Sequence, residues 1–141
     1  MPSELTVHAV HDGGMKVTAR SGDHTVSMDY PLQPGTDCSS LRPLEVLLAS
    51  LAGCSANTVV LLLERMKQPV NGLEVTARAT RRDEHPTVLS DIALAFTVWG
   101  ADVQPAAVER ALRVAEEQLC PVWCMLKTGT NITASFEIRK D

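Results

Sequence analysis

Apolar and polar residues alternate through the first thirty positions of the chain and again through residues 73–100. That period of two is the signature of strands with one covered face. Leu5–His11 and Met15–Arg20 are short alternating runs split by Asp12-Gly13-Gly14, which predicts a hairpin. Ser21-Gly22-Asp23 turns the chain into a third run, Thr25–Tyr30. A loop rich in Pro, Gly, Ser and Asp follows over Pro31–Leu41 and carries Cys38. Further on, Leu73, Val75, Ala77 and Ala79 fall on one side of a strand, with Glu74, Thr76, Arg78 and Thr80 on the other. This run, Leu73–Arg82, turns at Asp83–Pro86 into a second long strand, Ser90–Gly100, and Asn131–Arg139 forms a closing strand.

Between the two sets of strands the pattern changes. Pro43 suits the first turn of a helix, where its missing N–H costs nothing, and the helix is predicted to run to about Lys67, before Pro69 and Gly72. Val46–Leu63 contains 18 residues without a charge, the lower bound for a membrane span. Ser50, Gly53, Ser55, Asn57 and Thr58 make its middle mildly polar, and Arg42, Arg65 and Lys67 flank both ends. The expectation is therefore the buried central helix of a soluble protein, with no membrane partner. A second helix opens at Pro105 and carries the stripe Val108, Ala111, Leu112 and Ala115 up to Leu119. A short helical segment after Cys120-Pro121 reaches Lys127.

The predicted order is β-β-β-α-β-β-α-β, an α+β class in one domain over residues 1–141. One small sheet of about six strands covers only one side of the long helix. A second subunit is the natural cover for the other side, and Ala49, Gly53 and Asn57, at four-residue steps, would let two such helices approach. The expected assembly is a homodimer with this helix at its centre.

Composition narrows the function classes. With 141 residues and 45% apolar content, the chain is long enough to fold on its own core. Thirteen basic against 17 acidic residues give a net charge of −4, and aromatic residues make up 4%. Neither a phosphate-neutralising surface nor a stacking platform is offered, so nucleic acid is not expected as a partner. The N-terminus lacks a basic and apolar leader, so the expected compartment is the cytoplasm, where thiols stay reduced.

Four cysteines then become a question of reactivity. Cys38, Cys54, Cys120 and Cys124 are separated by 16, 66 and 4 residues, which does not make the paired knuckles of a zinc site. His8, His11, His24 and His85 have no ligand spacing, and no phosphate loop or hydrolase elbow is present. No metal or other cofactor is expected. Cys54, mid-helix, reads either as a small core residue or as a nucleophile needing a cation, for which Lys16, Arg20 and Arg42 are the candidates. Cys120 ends the second helix, where the chain has freedom to approach another thiol.

The run Pro43-Leu44-Glu45-Val46-Leu47-Leu48-Ala49-Ser50-Leu51-Ala52-Gly53-Cys54, followed downstream by Cys120-Pro121-Val122, resembles the two motifs of the OsmC/Ohr family. The resemblance covers nearly the whole chain. It implies a thiol-dependent reductase of organic or lipid hydroperoxides, acting as an intertwined homodimer. By that resemblance Cys54 is the peroxidatic thiolate, Cys120 resolves its sulfenic acid to a disulfide, and a lipoyl or small-molecule dithiol restores both. Cys38 and Cys124 are bystanders.

The sequence departs from the family at the activating residues. Where the family places an arginine after Gly-Gly in the first hairpin, Gly13-Gly14 is followed by Met15 and Lys16. Leu44 takes the place of the glutamate that orients the arginine, and Glu45, one residue on, is the candidate orienter. These departures imply a slow peroxidase. They leave two alternatives: a non-enzymatic binder of a small apolar ligand in the dimer pocket, and a different thiol reaction at Cys54.

Overall fold

A computed structural model describes residues 3–140. They group into two compact units divided between Leu48 and Ala49, inside the long helix. In chain order the elements are β1 (His8–His11), β2 (Val17–Ser21), β3 (His24–Met28), α1 (Pro43–Arg65), β4 (Gly72–Arg81), β5 (Leu89–Trp99), α2 (Pro105–Val114), α3 (Pro121–Leu126) and β6 (Asn131–Arg139). A π-helical turn, Ala115–Leu119, joins α2 to α3. The architecture is the mixed α+β arrangement anticipated from the hydrophobic pattern.

The first unit holds the antiparallel sheet β1-β2-β3, with Ala19 of β2 paired to Ala9 and Val26. Its first hairpin closes where the Asp12 N–H donates to the Lys16 carbonyl at 2.8 Å. Gly13 and Gly14 take φ of 103° and 56° there, a region that L side chains rarely enter. β3 stops at Met28 because Asp29 turns the chain: its carboxylate accepts from the backbone N–H of Tyr30 (2.8 Å) and of Ser39 (3.0 Å), and from the Ser39 hydroxyl (3.0 Å). The Ser39 N–H, then the Tyr30 N–H, hold this carboxyl below its ordinary value, with Lys16 adding to the effect.

The second unit holds the sheet β4-β5-β6. β4 and β5 are antiparallel, while β6 lies parallel to β5 after the α2–α3 crossover that parallel pairing needs. β5 is the central strand, and Ile92, Leu94, Phe96 and Val98 are buried on its inner face. Val108, Ala111 and Ala115 from the second helical stretch and Trp123 from α3 complete that core. Gly100 ends β5 where an added Cβ would stand 2.5 Å from the Pro69 carbonyl oxygen, so only glycine fits.

Two expectations change. The strands form two three-stranded sheets in place of one of about six. Local hairpins satisfy β1–β3, and the outer edge of β3 is closed by a bridge from Met28 to Leu41 and by the Asp29 N–H donating to the Leu41 carbonyl at 3.0 Å. The second helix is α-helical only to Val114, and the predicted stretch to Leu119 is the π-helical turn. The long helix is buried along one stripe alone, Leu51, Ser55, Val59 and Leu63, while Ala49, Gly53, Asn57 and Leu61 are exposed.

Both ends of α1 are locally specified. At its start the Glu45 carboxylate accepts the Arg42 backbone N–H at 2.8 Å, half of a capping box. At its end Lys67 adopts φ 59°, its N–H donates to Glu64 O at 2.9 Å and the Gln68 N–H to Leu63 O at 2.9 Å. This is a Schellman closure built on a non-glycine residue.

Candidate functional site

Two thiols meet in the second unit. Cys54 lies on α1, half-buried, one residue before the buried Ser55. The carbonyls of this stretch accept side-chain hydroxyls: Thr58 Oγ1 donates to Cys54 O at 2.9 Å and Ser55 Oγ to Ala52 O at 3.1 Å. The Cys120 thiol is fully buried and lies beside the Cys54 thiol. The 66-residue separation in sequence is thus closed by the fold.

Cys120 owes its place to Pro121. A residue before proline is pushed out of the α region, and Cys120 takes an extended φ of −87° and ψ of 104°. The helix therefore ends there, and Pro121 begins α3 at a position that needs no N–H. In the last turn the Cys120 N–H reaches back five residues to Ala115 O at 2.9 Å. Burial pushes the Cys120 thiol up from 9.0 to about 11, and the adjacent Cys54 adds to the rise, against the backbone N–H groups of Trp123 and Val122. Cys120 consequently keeps its proton at neutral pH.

The remaining candidates occupy other places. Lys16, Arg20 and Arg42 are exposed and belong to the first unit, as does Glu45, whose carboxylate caps α1. Lys16 favours the ionised form of Asp29. Cys38 is half-buried in the loop between β3 and α1. His8, His11, His24 and His85 are exposed.

Cys124 is more engaged than its spacing indicated. Its thiol donates to the Glu116 carbonyl at 3.2 Å, and Lys127 Nζ donates to the same oxygen at 3.0 Å. The signal in the sequence was Pro121: a π-helical turn would offer Glu116 O to the N–H of residue 121, and proline has none. The indole Nε1 of buried Trp123, in the same short helix, has no partner among the described residues.

A family model described as OsmC-like protein matches residues 36–135. Protein YhfA of Escherichia coli (strain K12) is 41% identical over 96 residues, covering 68% of this chain and 72% of that protein. The crystal structure of an OsmC like protein from Mycoplasma pneumoniae superposes with a TM-score of 0.85 at 18% identity over 99% of each chain. An organic hydroperoxide resistance protein OsmC from Legionella pneumophila superposes with a TM-score of 0.74 at 15% identity, over 96% of this chain and 97% of its own. At these identities the two structures establish a common fold. With the family match spanning the helix of Cys54 and the turn of Cys120, the chain belongs to the OsmC-like protein family.

Proposed function

We propose that this protein reduces organic hydroperoxides through Cys54 and Cys120. The observation carrying the proposal is the pairing of the two thiols, a half-buried one on α1 beside a buried one held in its protonated form. Cys54 as thiolate attacks the distal oxygen of ROOH; the O–O bond breaks and the alkoxide takes a proton and leaves as ROH. The sulfenic acid on Cys54 then condenses with Cys120, forming the S–S bond and releasing water. An external dithiol, lipoyl or small-molecule, gives two electrons and two protons by exchange and restores both thiols. The substrate is a lipid or small organic hydroperoxide. Relatives that share the fold include an organic hydroperoxide resistance protein.

By resemblance to the family, the candidates for activating Cys54 are Lys16, Arg20 and Arg42, with Glu45 as candidate orienter. Glu45 binds the Arg42 amide and so fixes where that side chain begins. With Met15-Lys16 after the glycines, in place of the family's arginine, the reaction is slow. An unactivated thiol is only about a few per cent thiolate at neutral pH. The two units act as a single domain, in the reducing cytoplasm. The exposed stripe Ala49, Gly53, Asn57 and Leu61 supports a homodimer about α1, and a dimer mass in light scattering is expected.

The decisive experiment treats fully reduced protein with one equivalent of cumene hydroperoxide and maps disulfides by mass spectrometry. A Cys54–Cys120 bridge formed within seconds is expected. Free thiols after many minutes would remove the proposal.

A further inference from the structure

The Glu116 carbonyl poses a local problem with two answers in the structure. Its α-helical donor would be the Cys120 N–H, which goes to Ala115 O instead, at 2.9 Å. Its π-helical donor would be residue 121, a proline without an N–H. The orphaned oxygen accepts from the Cys124 thiol at 3.2 Å and from Lys127 Nζ at 3.0 Å. Both donors come from beyond the turn, one on α3 and one at its C-terminal end, so they tie α3 back across the segment that carries Cys120.

We propose that Cys124 and Lys127 are positioning residues for Cys120. By holding Glu116 O they keep the widened turn that sets the Cys120 sulfur against Cys54. The effect on turnover rests on the thiol-pair reaction above, whereas the positioning does not. Cys124 acts as an S–H donor and not as a second resolving thiol, because its sulfur faces the Glu116 carbonyl. Its role therefore needs a hydrogen-bond donor and no redox chemistry, and serine can supply it.

The test compares wild type, Cys124→Ser, Cys124→Ala and the double variant Cys124→Ala/Lys127→Met. Hydrogen exchange at the Cys120 amide reports the turn, diamide oxidation reports Cys54–Cys120 closure without peroxide, and cumene hydroperoxide reports the proposed activity. The double variant should speed exchange at that amide, and slow diamide closure, by about tenfold, as expected for losing two hydrogen bonds. Cys124→Ala alone should fall between, and Cys124→Ser should stay within about twofold of wild type, since its hydroxyl retains the donor. Unchanged exchange and closure in the double variant would overturn the proposal. So would a Cys124→Ser protein as impaired as Cys124→Ala, since loss of packing would then be the cause. If diamide closure responds as expected while wild type ignores hydroperoxide, the positioning stands and the peroxidase reading fails.

Discussion

The thiols of Cys54 and Cys120, one on the long helix and one at an extended residue before a proline, lie side by side in the second unit. The pair is asymmetric. Cys54 is half-buried, whereas Cys120 is fully buried with its thiol pushed up to about 11. In the proposed reaction, a resolving thiol that holds its proton would not compete for peroxide, and Cys54 would be left as the nucleophile.

The asymmetry predicts a pH dependence of stability. In the unfolded chain Cys120 loses its proton near 9.0, while in the folded protein it keeps it to about 11. Between those values the unfolded state binds fewer protons, so stability falls as pH rises. The contribution is fully present below pH 9.0 and gone above pH 11, a loss of about 2–3 kcal/mol. Urea unfolding at half-unit steps from pH 8 to 12 should show the slope for wild type, and a Cys120→Ala variant should lack it. Cys54→Ala should narrow the window, because Cys54 contributes to the rise.

Single cysteine replacements should separate the roles. Cys54→Ser should abolish peroxide consumption. Cys120→Ser should still react once and stop at the sulfenic acid, which dimedone labels at Cys54 as a mass increase. Cys38→Ser, in the loop of the first unit, should turn over within about twofold of wild type, as expected for a site outside the reacting pair. Dimedone label at any cysteine other than 54 would reverse the assignment.

Lys67 offers a stability test independent of the chemistry. Its φ of 59° closes α1 in the left-handed region, where a side chain costs energy and glycine does not. Lys67→Gly should therefore raise stability by about 0.5–1 kcal/mol, visible as a higher urea midpoint at unchanged slope. A lower midpoint would mean that the Lys67 side chain contributes more than its backbone costs.

The elements that follow from local rules were legible in the sequence. Leu73 to Ala79 alternate into and out of the second unit as the period of two requires, and Pro43 and Pro105 open helices. The antiparallel pairs joined by short turns were legible too, but the parallel pairing of β6 with β5 was not, because an alternating run does not say which distant edge it meets; Leu41, in a loop, closes the edge of β3. Nor could spacing alone join Cys54 to Cys120 across the chain, and only resemblance to a family did so. The work of Cys124 and Lys127 was hidden for another reason. It depends on a carbonyl left without a donor, and Pro121 reveals that carbonyl only once the turn around it is known to be wide.

Glu45 carries the last prediction, since two roles converge on one carboxylate. As the capping residue of α1 it accepts the Arg42 N–H at 2.8 Å, which needs an oxygen acceptor and no charge. As an orienter of the cation that activates Cys54 it would need the charge. Glu45→Gln keeps the amide oxygen and removes the charge, while Glu45→Ala removes both. Capping alone predicts that Glu45→Ala loses about 0.5–1 kcal/mol of stability and Glu45→Gln much less, in urea unfolding. If Glu45 also orients the cation, both variants should slow iodoacetamide reaction of Cys54 at pH 7 by about tenfold, since a nearby cation favours the reactive thiolate. Replacing the activating residue among Lys16, Arg20 and Arg42 with methionine should give the same slowing, without a further loss when combined with Glu45→Gln. Full alkylation rates in Glu45→Gln, with stability lost only in Glu45→Ala, would confine Glu45 to the cap.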